Sequence, residues 1–425
     1  MRKYIVACLL ALCALTATNA SKIFIPMDET QTNHLKAYGI AYLVLAQSHE
    51  VYWLLNYRGG SFAFDGDPRI EKECKIRGVK YELLAEAKYG NILASIADPQ
   101  VNQDVMKLEK APRIAVYTPD KNDRGETIHP WDDAVTLVLT YAEIPYDVIY
   151  DTEVLHGKLT GYDWIHLHHE DFTGQYGKFY AAYRGQPWYE NHVKRMEQIA
   201  AQNGFKKVSQ CKLAVAQNIR DWVGAGGFMF AMCSATDTYD IALSAEGLDI
   251  CDVMYDGDAQ DPTATSKLNY NKTFAFKDYK LKTNPLEYEY SDIDDTDYRN
   301  VDMKVDYFTL FDFSAKWDPV PTMLTQCHTR VVKGFMGQTT AFNKALIKSE
   351  VLVLGDYKPA NEARYLHGEF GKGMWTFYGG HDPEDYRHQV GDPPTDLALH
   401  PTSPGYRLIL NNVLFPAAKK KKRPT

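Results

Sequence analysis

One cysteine stands where a nucleophile could stand. Ala231-Met232-Cys233-Ser234-Ala235 follows an apolar run, GGFMF, and precedes a helix-forming one, TDTYDIAL. A nucleophile raised on a strand-to-helix turn needs small residues two before and two after it, because the turn is tight. The start of the following helix favours the thiolate, the reactive form. Such a thiol needs an imidazole to carry its proton and a carboxylate to hold that imidazole. WTFYGGHDPED supplies both: His381 just past an apolar strand, then Asp382, Glu384 and Asp385. The chemistry of this set is hydrolysis of an amide, peptide or related acyl bond.

A second constellation lies in IHLHHEDF, which carries His166, His168, His169, Glu170 and Asp171. His166 and His168 fall on one face of a strand. At the C-terminal edge of a parallel sheet, where ligand crevices form, this segment would meet two others. One holds Cys233 and Asp237; the other holds His381, Asp385 and His388. His168, His169 and His381 are thus candidate ligands for a divalent transition metal. The alternative is that these groups hydrogen-bond one another and orient loops. No ligand spacing here is diagnostic of a particular ion.

The elements that must position these residues read as two α/β series. KIFIPM opens the first, followed by a helical stretch over 31–48, the strand VYWLLNY, a helix over 69–77 and the strand VKYELL. Alternation of this kind predicts parallel pairing with helices on the sheet faces. Lys110-Ala111-Pro112 marks a boundary. The second series runs through strands RIAVYTP, YDVIYD and YDWIHL, two helices within 189–223, and the strand that ends at Cys233. From 244 to 329 the pattern breaks into acidic, turn-rich sequence, which we read as an insertion over the domain face. SEVLVLGDY restores it, then two strands joined by Gly371-Lys372-Gly373, and a closing helix in TSPGYRLILNNVLFPAA. The expected units are 21–110, an N-terminal α/β unit, and 111–416, the main domain. A basic tail follows over 417–425.

The order of parts from about 113 to 416 resembles the class I glutamine amidotransferase-like superfamily. That resemblance implies a flavodoxin-like parallel sheet, Cys233 as nucleophile, His381 as base and Glu384 as orienting acid. Two departures stand out: alanines replace the glycines usual around the cysteine, and Asp382 lengthens the spacing from His381 to Glu384. Asp382 or Asp385 could therefore serve as the acid. The backbone around 174–177 is the candidate oxyanion loop. The opening IPMDETQTNHLKAYGIAY with LLNYRGGSF is similar to exported bacterial proteins labelled asparagine synthetase B. That reaction needs an N-terminal cysteine and an ATP-pyrophosphatase loop. The expected mature chain begins at Ser21, and no such loop is present.

Composition narrows the field. The 425 residues carry a net charge of -8, which argues against a nucleic-acid partner. Residues 1–20 read as a secretory signal ending Thr18-Asn19-Ala20, so a periplasmic or secreted protein without stable membrane insertion is expected. Cys8 and Cys13 leave with the signal, and five cysteines remain, which leaves at least one thiol unpaired or paired between chains. The leading expectation is a Cys-His hydrolase of a small-molecule, peptide or glycan substrate with no organic cofactor. The alternatives are a non-catalytic envelope scaffold and a metal-dependent hydrolase built on His168, His169 and His381.

Overall fold

The computed structural model describes residues 21–119, 133–294, 302–325, 330–389 and 392–418. The signal segment, Cys327 and the basic tail from Lys419 lie outside them. Among the described residues no helix is long and apolar enough to cross a membrane.

The first series forms a five-stranded sheet from β1 (Ser21–Ile25), β2 (Val51–Leu55), β3 (Ser61–Asp65), β4 (Glu82–Ala85) and β5 (Asp104–Leu108). Its order is β4-β1-β3-β2-β5, and every pair is antiparallel. The expected parallel pairing is therefore corrected here. The helix α1 (His34–Ala46) does carry the chain over so that β1 and β2 run the same way. SFAFD, however, turns back after Gly59 and Gly60 and slots between them as β3. A link of five residues is too short for a parallel crossover.

The second sheet is mixed, and this corrects the flavodoxin-like parallel sheet. β6 (Ile114–Tyr117), β7 (Asp147–Ile149), β8 (Trp164–Leu167), β9 (Phe228–Met232) and β15 (Gly373–Tyr378) pair in parallel, in the order β7-β6-β8-β9-β15. Beyond β15 the sheet continues antiparallel through β14 (Glu362–Phe370), β13 (Leu352–Tyr357), β10 (Tyr307–Leu310) and β11 (Val331–Lys333), with β12 (Phe342–Asn343) on β14. The two-residue link Gly371-Lys372 forces the β14–β15 hairpin. Half of this sheet thus has the direction expected of crossovers, and the other half does not.

Helices α1, α4 (Ala134–Ala142) and α9 (Pro404–Leu414) lie between the two sheets, and one continuous apolar cluster joins them to both. The two other long helices before the crossover, α2 (Pro68–Ile76) and α3 (Glu86–Ala97), belong to the first unit; α3 covers its outer face through Tyr89 and Ile96. On the far side of the mixed sheet, α5 (Asp151–Leu155), α6 (Pro187–Gln202), α7 (Val208–Ala225) and α8 (Ala235–Ser244) enclose a second cluster. The segment expected to be an insertion over the surface contributes to that core: Phe274, Phe276, Tyr279, Tyr290 and Ile293 are buried. It also supplies β10.

Candidate functional site

The parallel half of the mixed sheet ends in three short, polar segments at one edge. Cys233 follows β9 at once and lies before α8. Its φ of 54° is left-handed, a strained state for a side chain with a Cβ. The turn is fixed from both sides. The Cys233 amide donates to Gly380 O at 3.2 Å, and Thr236 Oγ1 donates to Cys233 O at 2.7 Å. The thiol is buried, and the Gln338 amide donates to Sγ at 3.1 Å. Burial pushes this thiol up to about 11, although the backbone N–H groups of Gln338, Thr339 and Ser234 favour the thiolate.

Gly337 explains how the segments come so close. A Cβ there would stand 2.9 Å from His381 N and 3.1 Å from Cys233 Sγ. Gly380, just before His381, holds a φ of 98°, and a Cβ would run into Phe335. Only glycine fits both demands.

His381 nevertheless does not complete a cysteine triad. No hydrogen bond joins it to Cys233 or to Glu384, Asp382 or Asp385 among the described residues, and its Nδ1 is buried without a partner. Glu384 Oε2 instead lies 3.1 Å from His400 Nδ1. Asp382 is held by Tyr406, Thr395 and the Glu384 amide at 2.8, 2.8 and 2.9 Å. Asp385 meets His388 Nδ1 at 3.2 Å. The 174–177 loop is also occupied: the Gly177 amide donates to Asp171 and its carbonyl accepts from Gln338 Nε2. Glu384 and Asp382 are thus engaged by other partners, and Asp385 pairs with His388, whose ring stacks on His381 at 4.2 Å between centroids.

The imidazoles converge on each other. Ring centroids of His168 and His381 are 4.2 Å apart, those of His168 and His169 4.7 Å, and those of His169 and His381 5.6 Å. One nitrogen from each of His168, His169 and His381 lies within 4.8 Å of the other two. Three ligands at Zn–N distances around a tetrahedral ion stand about 3.4 Å apart, so small ring rotations close the set. His168 Nε2 and His381 Nδ1 are buried without a hydrogen-bond partner, whereas His169 opens to solvent.

Neutral imidazole is the state a ligand needs. Burial pushes His168 down to about 4. Burial and the neighbouring His168, His169 and His388 hold His381 well below its usual value.

Asp133, the N-cap of α4, completes the set from below. Burial opposes its charge, but His166 and His168 outweigh it and hold its carboxyl well below the carboxylate range. Its Oδ2 accepts from His166 Nε2 at 2.9 Å and stands 2.6 Å from His168 Nδ1, off the line of that ring's N–H. A carboxylate behind a ligating histidine fixes its tautomer and orientation. His166 faces Phe230 O through its other nitrogen and is a supporting residue.

Glu170 turns away from the cluster to meet Tyr150 OH at 3.0 Å. Asp237 is buried beneath Thr339 Oγ1 at 2.9 Å, and burial raises its carboxyl well above the usual range. The described cysteines 74, 211, 233 and 251 are all free.

Sequence reasoning missed Asp133 and Gln338. Asp133 carried one available signal, since WDDAVTLVL reads as a capped helix start. Gln338 lies 105 residues from Cys233 and carried none.

No family model and no curated protein matches the chain. Among solved structures it is similar to the cytoplasmic protein STM3548 from Salmonella typhimurium, at 11% identity over 72% of this chain and 100% of that one, TM-score 0.34. It is also similar to STM1381 from Salmonella typhimurium LT2, at 12% identity over 72% of this chain and 99% of that one, TM-score 0.33. A third likeness is to part of Gan42B, a GH42 β-galactosidase, at 11% identity over 65% of this chain and 28% of that one, TM-score 0.28. At these scores the likenesses carry no argument.

Proposed function

We propose that the protein is an exported metal-dependent hydrolase in which His168, His169 and His381 hold a divalent transition ion. One observation carries this reading: three imidazole nitrogens from two strand ends lie within 4.8 Å of one another, and both His168 and His381 hold a buried ring nitrogen with no hydrogen-bond partner. Asp133 behind His168 is the carboxylate such a ligand requires. Three protein ligands leave a coordination position for water or substrate, the pattern of catalytic rather than structural zinc sites. Such an ion supplies Lewis acidity and activates water. His169 lies on the open side, so substrate approaches there.

Metal analysis of protein purified without chelator tests the reading. A stoichiometric transition metal is expected, lost in His168→Ala and His381→Ala. Asp133→Asn is expected to weaken binding by about 10–100-fold. Hydrolysis of a panel of amide, peptide and ester substrates should stop on chelation and return with added metal. Full activity in metal-free protein would sink the proposal.

A second reading, a hydrolase with Cys233 as nucleophile, is favoured by its left-handed backbone and the amide aimed at its thiol. Loss of hydrolysis in Cys233→Ala with metal content intact would select it.

A further inference from the structure

Directly after His168 and His169 the chain is tied down by a buried charge. Lys212, in the second turn of α7, is 2% exposed. Its Nζ donates to Tyr117 OH and Tyr150 OH at 3.0 Å each, to Asp151 Oδ1 at 3.1 Å and to Glu170 Oε2 at 3.4 Å. It also sits 4.4 Å from the Tyr150 ring centroid. Tyr150 OH donates to the same Glu170 oxygen at 3.0 Å. The Glu170 carbonyl accepts from Thr238 Oγ1 at 2.9 Å, and its amide closes a tight turn onto His168 O. Glu170 is therefore gripped by α7 through its side chain, by α8 through its carbonyl and by His168 through its amide.

We propose that Lys212 is a positioning residue for the three-histidine centre: through Glu170 it fixes the turn that aims His168 and His169 at His381. The inference rests on the metal reading above. A buried ammonium is costly unless it is paired, and helix packing at this position needs only an apolar chain. Its partners are not spread around the core. They gather at the ends of β6 and β7 and on the residue after His169, on the same sheet edge as the ligands. Lys212 touches no ligand itself, so its effect passes through Glu170.

The test titrates apo protein with cobalt(II), following the visible spectrum, and then competes with zinc. Lys212→Met is expected to bind about 10–100-fold more weakly, with a cobalt spectrum changed in shape. Lys212→Arg should recover part of the affinity. Asp240→Asn, which disturbs a buried carboxylate holding the amides of Phe274, Ala275 and Phe276, is expected to lower stability and leave affinity and spectrum native. Native affinity and spectrum in folded Lys212→Met would overturn the proposal, as would an equal loss in Asp240→Asn. Should Lys212→Met not fold, Glu170→Gln decides: weaker binding with an altered spectrum upholds it, and native binding overturns it. If native protein binds no cobalt, the metal reading fails first and takes this inference with it.

Discussion

At Cys233 the left-handed backbone and the Gln338 amide suit a nucleophile, while enclosure suppresses the thiolate. The same enclosure acts on the neighbouring imidazoles in the opposite chemical sense, because loss of charge leaves histidine a better ligand and cysteine a poorer attacker. With its thiol pushed up to about 11, Cys233 holds roughly one thiolate in ten thousand molecules at neutral pH. Iodoacetamide at about pH 7.5 is therefore expected to modify native Cys233 far more slowly than a small free thiol, as read by mass spectrometry. Modification as fast as that of the free thiol would show a site more open than this one. The residues that meet here were partly legible. His168, His169 and His381 could be grouped because strand ends of one direction share an edge. Glu384 could not be excluded from sequence, since nothing in HDPED tells which carboxylate turns toward His400. Lys212 was hidden too: a lysine in an amphipathic helix ordinarily faces water.

Among the elements, hydrophobic runs located the strands but not their partners. SEVLVLGDY and GKGMWTFY read equally well as parallel or antiparallel, and only the short links on either side of β14 decide, four residues from β13 and two to β15. SFAFD was missed because it follows VYWLLNY so closely, and its insertion between β1 and β2 reverses the pairing of the whole first sheet. Connections of elements have their own energetic signature. Arg407 on α9 is wholly buried and donates to Tyr38 OH on α1 at 3.1 Å and to the carbonyls of Met27 and Gly59. Arg407→Met leaves those acceptors without donors, each unmet buried group costing about 1–3 kcal/mol. A destabilisation of about 3 kcal/mol or more is expected in urea unfolding. A change below about 1 kcal/mol would show that the bonds are not held in solution.

Across the whole molecule, buried neutral histidines couple stability to pH. His367 lies on β14 away from the site, hydrogen-bonded to Thr376 Oγ1 at 2.9 Å, and burial pushes it down to about 3. The unfolded chain takes up this proton near pH 6.5 and the folded chain does not, so stability is complete above that pH. It then falls as pH drops toward 3. This group alone withdraws about 2 kcal/mol by pH 5. His367→Phe is expected to make the loss between about pH 7.5 and pH 5 shallower by that amount in paired urea titrations, and an unchanged slope would remove His367 from the account.

The three helices held between the sheets carry one more implication. Because α1, α4 and α9 come from widely separated stretches of the chain and share one core, neither sheet owns a finished interior. Cutting the gene after residue 110 would not release two tidy modules. It would strand oily helix faces on both products, so exchange of the front unit between relatives would have to carry its matching helix surfaces along.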